Sequence, residues 1–573
     1  MKYLFASLRK YRAECVLAPL FKMLEAFFDL QVPVFVARLI DEGITGGSQD
    51  AIWRYFFYLV GMALLGLICS FTAQYFAARA ASGSAVRLRR DLYRKVLDMP
   101  YSQLDKSGVS TLITRLTSDV NLVQNGVNMF LRLFLRSPFI VFGAVVMACT
   151  INLTAGLIFL VCVPVLALIV VMTMRATSPM YRRVQEKLDG VTRATRENLS
   201  GVRVVRAFGR ENAETEAFRQ ELGDLYGAQM QAARVSARMN PLTYVAVNLG
   251  IAGILLLGSR LVGEGTLLSG SVVALINYMS QILVELVKLA NLVVLLSRAL
   301  AGVKRIADVL DTDTSVPMEK QSDARDADTA IAFEHVSLRY LGAGEDSLSD
   351  ISFRVRAGET LGVIGGTGSG KTSLVNLIPR FYDASEGTVR IFGQDVKSLD
   401  SGYLRSMIAV VPQRAQLFHG TVRSNLLWGR QDATDDELWQ ALEAAQAADF
   451  VRAKEGGLDA EVEQGGRNFS GGQRQRLTVA RALAARAPIL ILDDASSALD
   501  MATDAAMRAA LAGMKDVTKV IVSQRTASLR SCSRILVLDD GKLVGSGTHE
   551  ELLASCDVYR EIHESQYRKG EDK

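Results

Sequence analysis

The segment Gly365-Gly366-Thr367-Gly368-Ser369-Gly370-Lys371-Thr372 fits the pattern GxxxxGK[ST]. It follows the strand-like run TLGVI and leads into SLVNLI, a helical run that starts at Ser373. Strand, glycine loop and helix are the context in which this pattern cradles the phosphates of a nucleoside triphosphate. Glycines let backbone N–H groups wrap the anion, and the start of the helix adds a favourable field. Lys371 would reach the outer phosphates, and Thr372 would hold Mg2+. Asp493 closes the apolar strand Ile489–Leu492, where a carboxylate can hold the same Mg2+ through water. An acid at a strand end says little alone; beside the glycine loop it completes a phosphate-and-metal site.

The rest of the chain must position these residues. Its 573 residues exceed one compact domain, so two or more are expected. The net charge of +5 is small for that length and gives no basic field of the kind that binds nucleic acid. The six cysteines are scattered with no CxxC pair, and read as packing residues. The opening MKYLFASLRKYR is basic and reads as an interfacial segment, with no cleavable leader.

The first half reads as membrane, since a helical span takes about 20 mostly apolar residues. Ala155–Met174, Tyr55–Ala78, Leu242–Ser259, Ser137–Thr154 and Leu268–Val284 fit; Val16–Ala37 is interrupted by Lys22, Glu25 and Asp29 but is counted as a sixth. Loops at 43–50, 152–154 and 263–269 hold no Lys or Arg, whereas 79–125 and 175–238 are rich in both. The positive-inside rule puts the long segments and both termini in the cytoplasm of a multi-pass protein. RLRRDLYRKVL and QEKLDGVTRATRENL keep helical periodicity, as spans continuing beyond the bilayer would. DVLDTDTSVPMEKQSDARDAD is polar, acidic and holds a proline, which marks a linker. Beyond it, strand-like IAFEHVSL, TLGVIG, PILILD and KVIVS alternate with helical runs, an α/β pattern with a largely parallel sheet. The expected organisation is an all-α membrane domain over 1–306, a linker over 307–329 and an α/β nucleotide-binding domain with an α-helical subdomain over 330–573.

Between the glycine loop and Asp493 lies Phe469-Ser470-Gly471-Gly472-Gln473, followed by Arg474-Gln475-Arg476. Ser470 and the glycine N–H groups offer a second anion cradle at a helix start. With this SGGQ signature the chain resembles the ATP-binding cassette exporters whose half-transporters carry six spans before one cassette. The resemblance covers nearly the whole chain. It implies ATP with Mg2+, and two cassettes meeting head to tail, each ATP lying between one chain's glycine loop and the other's signature. It further implies that Tyr340 stacks on adenine, that Gln413 senses Mg2+ and couples to the membrane domain, and that Ser497-Ala498-Leu499-Asp500 contacts the opposite cassette. Tyr101–Lys106 with Leu112–Asp119, and Phe208-Gly209-Arg210-Glu211, resemble the family's two coupling segments.

Two positions depart from the family. Where it has glutamate to activate the attacking water, this chain has Asp494; the shorter carboxylate sits about 1.5 Å back, and such a misplacement costs on the order of a hundredfold. The family's histidine after the strand KVIVS is here Gln524, which can hydrogen-bond a phosphate but carries no positive charge. Gln464 stands where many relatives have glutamate. The resemblance therefore narrows to the degenerate-site member of a heterodimer, its intact signature serving a non-identical partner; the alternative is a slow homodimer.

Polar residues within spans usually face a cavity or the bundle interior. Asn277, Gln281, Glu285, Lys288 and Asn291 share one helix face, as do Lys22, Glu25 and Asp29, and Tyr244 with Asn248 forms a smaller pair. Either they line a substrate path or the charged ones are solvated extensions, with Glu285–Lys288 a simple ion pair. The resemblance favours export of amphiphilic drugs, lipids or peptides across the cytoplasmic membrane. Importer-like transport of a metal-chelating compound and a non-hydrolysing regulatory cassette are the rivals. No N-terminal peptidase domain is read, which disfavours export coupled to leader processing.

Overall fold

A computed structural model of the chain describes residues 1–312 and 328–567. The chain divides into two compact units, one formed by Met1–Leu97 with Ser110–Thr312, the other by Asp98–Val109 with the chain from Asp313 onward.

The first unit is all helix. Among the described residues, five helical stretches are long and apolar enough to cross a bilayer: Gln49–Leu97, Val109–Ile151, Leu153–Ser200, Glu211–Gly263 and Ser269–Leu310. The sixth expected span is a continuous 27-residue helix, Arg12–Arg38, which falls outside that set. Its charges explain the difference, because Lys22 and Glu25 are turned inward and pair with each other at 2.5 Å. Leu153–Ser200 has 48 residues, about 72 Å of helix, against a hydrocarbon core of about 30 Å. The helical periodicity read in the segments 79–125 and 175–238 is thus, in large part, the continuation of the apolar helices. Asn152 breaks the chain between two of them, and its side-chain oxygen accepts from the Ala155 N–H to cap the second.

Small residues let these helices approach closely. Ala26, Ala144, Ala148 and Ala274 are fully buried, around Leu30, Phe159, Leu166 and Ile282. A Cβ at Gly270 would lie 2.2 Å from the Ala37 carbonyl oxygen, so the last helix starts where only glycine fits. The Gly270 N–H donates to Asp41 Oδ1 at 2.7 Å. Tyr278, also fully buried, donates its hydroxyl to the Leu30 carbonyl at 2.6 Å.

Arg136 ties three helices together. It donates to Glu285 Oε1 at 2.7 Å and to Asp29 Oδ2 at 2.9 Å. Glu285, only 3% exposed, also accepts from Ser137 (2.7 Å) and Lys288 (2.8 Å).

The second unit is α/β. Its main sheet runs Lys542–Gly547, Arg534–Asp539, Thr360–Gly365, Thr518–Val522, Ile489–Asp493 and Ile408–Val411. All neighbours in it pair in parallel except the first two strands, which are antiparallel. A four-stranded sheet containing Thr329–Leu338, Leu348–Arg356 and Glu386–Ile391 shares its apolar core, with Phe333 and Phe353 stacked at 4.6 Å. A second core joins the helices Asp435–Ala444 and Gly471–Ala484 to Leu490 and Leu492 on the sheet. The last membrane helix runs to Leu310, past the expected boundary at 306, and the first strand of the cassette opens at Thr329. The linker at 313–327 lies outside the described residues.

A buried ion left without its partner is costly, of order 3 kcal/mol or more. Arg136→Ala, which leaves Glu285 with Lys288 and the Ser137 hydroxyl and takes from Asp29 the Arg136 cation, should lower the thermal midpoint of the protein in lipid nanodiscs by several degrees. Removing both charges in Arg136→Ala/Glu285→Ala should recover part of that loss, read by the same melt.

Candidate functional site

The glycine loop occupies the carboxyl end of Thr360–Gly365, the central parallel strand. Gly370, at φ +93°, caps the helix Lys371–Leu377, and its left-handed backbone brings the loop round without a Cβ. A Cβ there would also lie 2.7 Å from the Ser347 carbonyl oxygen. Lys371 Nζ donates to the carbonyls of Gly365 (3.0 Å) and Gly366 (2.5 Å) and lies 3.4 Å from Ser369 Oγ. Burial pushes the Lys371 ammonium below the ordinary lysine range, against the pull of Asp494 and Asp493.

Thr372 Oγ1 lies 3.4 Å from Asp493 Oδ1. Burial raises the Asp493 carboxyl above the usual carboxylate range, as does Asp494 beside it; Thr372 and Lys371 pull it down. A cavity of about 770 Å³ opens over the loop, lined among others by Thr367, Gly368, Lys371, Ser373, Gln413 and Gln524. One cation, a threonine hydroxyl facing a carboxylate and a ring of N–H groups match a triphosphate and its Mg2+. Lys371 and the loop would hold the phosphates, and Thr372, Asp493 and Gln413 the metal, which when bound neutralises charge on the phosphate oxygens.

Asp494 and Gln524 enter this site differently. Asp494 has φ +48°, a left-handed conformation that short Asp tolerates better than most residues. Its half-buried carboxyl is raised by burial, while a hydrogen bond from the Gln413 amide and the charges of Lys371 and Arg525 lower it. Gln524 is exposed at the cavity wall, and its backbone carbonyl accepts from Gln566 Nε2 at 2.7 Å.

Tyr340 sits next to Ser373, which lines the cavity. Its hydroxyl donates to Ser373 Oγ at 2.9 Å, and its ring meets Tyr382 edge-on at 5.0 Å. The Tyr382 hydroxyl donates to Asp105 at 2.6 Å, and Tyr101 stacks on Phe381 at 4.6 Å. The helix Tyr101–Ser107, which holds the Tyr101–Lys106 part of the expected first coupling segment, is thus docked beside Tyr340 by aromatic contacts and one charged hydrogen bond. At the second, the chain turns at Phe208-Gly209-Arg210 with Phe208 77% exposed.

The signature begins a helix. Ser470 Oγ accepts from the Gln473 N–H at 3.3 Å and Gln473 Oε1 accepts from the Ser470 N–H at 3.0 Å, a reciprocal cap. Ser470 and Gly471 are exposed, and a Cβ at Gly471 would meet nothing within 4 Å. At Gly472 it would lie 3.0 Å from the Ala498 carbonyl. Asp500 caps the next helix, accepting from the Thr503 N–H (2.9 Å) and hydroxyl (2.8 Å).

In the membrane unit, Glu285 is sealed inside the Arg136 network. Asn277, Tyr244 and Asn248 are exposed, and Gln281 Oε1 is buried with no hydrogen-bond partner. Arg136, Ser137 and Tyr278 were missed as members of this polar set. Arg136 was legible as the one charge interrupting its span; Tyr278 looked like ordinary apolar filling.

A family model for the ABC transporter transmembrane region matches residues 15–286, and the ABC transporter model matches 348–497. An uncharacterized ABC transporter ATP-binding protein of Mycobacterium tuberculosis is 35% identical over 98% of this chain and 97% of its own. An ATP-dependent lipid A-core flippase of Albidiferax ferrireducens is 32% identical over 92% of each chain. A multidrug efflux ATP-binding/permease protein of Mycobacterium bovis is 33% identical over 93% of this chain and 44% of its own length. A bacterial Atm1-family ABC exporter with ATP bound superposes with a TM-score of 0.79 at 21% identity, covering 99% of both chains. With relatives this similar over nearly its whole length, the chain belongs to the ABC transporters, as an exporter-type half-transporter in which a helical membrane domain is fused to one ATPase cassette.

Proposed function

We propose that this chain is the degenerate-site half of a heterodimeric exporter that moves amphiphilic compounds out across the cytoplasmic membrane. The observation that carries it is the contrast inside one cassette. Asp494 is short and left-handed, and Gln524 has no charge to offer a phosphate, whereas Ser470–Gln473 is intact, capped and begins its helix at an exposed Ser470. In the family's head-to-tail pairing the signature completes the partner's ATP site, so this chain binds ATP in its own site and serves hydrolysis in the other. The excess of Lys and Arg in the long segments favours cytoplasmic termini and cassette. Relatives named for lipid A-core flipping and multidrug efflux support an amphiphilic substrate. The exposed Asn277 and the unpartnered Gln281 oxygen suit polar recognition in an otherwise apolar path.

The partner should carry glutamate and histidine where this chain has Asp494 and Gln524. Affinity purification from membranes should bring down that second chain, and a brisk, substrate-stimulated ATPase from this chain alone would overturn the assignment. Asn277→Leu/Gln281→Leu should change which compounds are moved in a vesicle transport assay while basal ATPase stays near wild type.

Gly471 and Asp494 give the sharpest contrast. Among the described residues nothing lies within 4 Å of a Cβ at Gly471, so Gly471→Asp would leave this cassette folded and set a like charge against the partner's ATP. That should abolish most of the pair's steady-state ATPase, a loss of a hundredfold or about 2.7 kcal/mol. Asp494→Asn should lower the rate by less than about threefold, or 0.7 kcal/mol. Equal damage from both would mean that this cassette carries catalysis itself.

A further inference from the structure

The loop bearing Gln524 is held from behind by the last helix of the chain, Asp557–Tyr567. Gln566 straddles that loop. Its Nε2 donates to the Gln524 carbonyl at 2.7 Å, and its Oε1 accepts from the Thr526 N–H at 3.0 Å. Thr526 is fully buried, with its hydroxyl 3.1 Å from Gln566 Oε1 and 3.0 Å from His563 Nδ1. The helix is itself well seated. Tyr559 is fully buried and its hydroxyl pairs with His549 Nδ1 at 2.7 Å, while Ile562 packs on the cluster of Leu529, Ile535 and Val537. One amide thus fixes the backbone on both sides of Arg525.

This matters because of what Gln524 is asked to do. Glutamine has three side-chain torsions where histidine has two, so its amide is aimed less well by its own stiffness. Its direction into the cavity then depends on where the backbone is held, and Gln566 holds the carbonyl of Gln524 itself.

We propose that Gln566 is a positioning residue for Gln524, and that through it the C-terminal helix sets this site's preference for a triphosphate over a diphosphate. The inference rests on the reading of Gln524 as the contact to the terminal phosphate.

The test uses the full chain in its membrane assembly, labelled with azido-ATP in competition with ATP or ADP and read chain by chain on a gel. Gln524→Ala and Gln566→Ala should each lower this chain's ATP-over-ADP preference by about fivefold, the worth of one hydrogen bond, with ADP competition unchanged. The double variant should be no worse than either single one. Gln566→Glu, which keeps the bond from Thr526 and loses only the donor to Gln524, should show the same loss with the helix still seated. If Gln524→Ala lowers the preference and Gln566→Ala does not, the inference fails alone; if the two losses multiply, or if ATP and ADP weaken equally, it fails as well. If Gln524→Ala itself changes nothing, the phosphate reading of Gln524 fails and takes the inference with it.

Discussion

Val522 pairs with Val363 on one side and with Asp493 on the other. That parallel register makes three neighbouring strands end level, and everything chemical in the cassette follows from it. The glycine loop leaves the end of the first strand, Asp493 and Asp494 end the second, and the Gln524 loop follows the third. A slip of one residue would turn each strand's inward and outward side chains over. The strands read as largely apolar runs because both faces are covered. The polar groups of the site appear where the strands stop, and that is where the phosphates would lie.

The legible and the illegible parts of the chain divide along this line. Lys371, Thr372 and Asp493 are local: each sits at a fixed offset from a strand end or helix start, and sequence carries such offsets directly. Gln413 and Gln524 were placed by resemblance, and the structure brings both to the cavity wall. What sequence could not carry is coupling between distant side chains. The Tyr382–Asp105 hydrogen bond, the Tyr340–Tyr382 contact and the Gln566 staple each join residues dozens of positions apart. Gln566 follows a run of helix with ordinary surface composition, and nothing in its spacing signals that it reaches a loop beside the nucleotide cavity.

In the membrane unit the same limit appears as a charge problem. Hydropathy penalises Lys22, Glu25 and Asp29 one by one, which is why the first helix looks the weakest of the six expected spans. The structure shows the charges satisfied in concert, Lys22 with Glu25 and Arg136 with Asp29 and Glu285. An ion removed from water is tolerable when its partners are fixed around it. The polar face seen at helical spacing therefore splits in two. Its charged members hold helices to one another, and Asn277 remains exposed above them.

The signature shows how one short motif satisfies two demands at once. Ser470 and Gln473 close the start of their helix by reciprocal hydrogen bonds, so those two side chains are needed by this chain's own fold. Gly471 and Gly472 are not needed for the cap. Gly472 is pressed against the Ala498 carbonyl, which leaves little room for a side chain, but Gly471 faces open space. Gly471 is the first residue of its helix, and among the described residues nothing lies within 4 Å of a Cβ built there. Glycine at this position is accounted for if another surface, carrying a phosphate, comes close enough that any Cβ would intrude. A short, left-handed Asp494 in the same cassette as an unobstructed Gly471 agrees with the proposal that this cassette's chemical contribution is made across an interface.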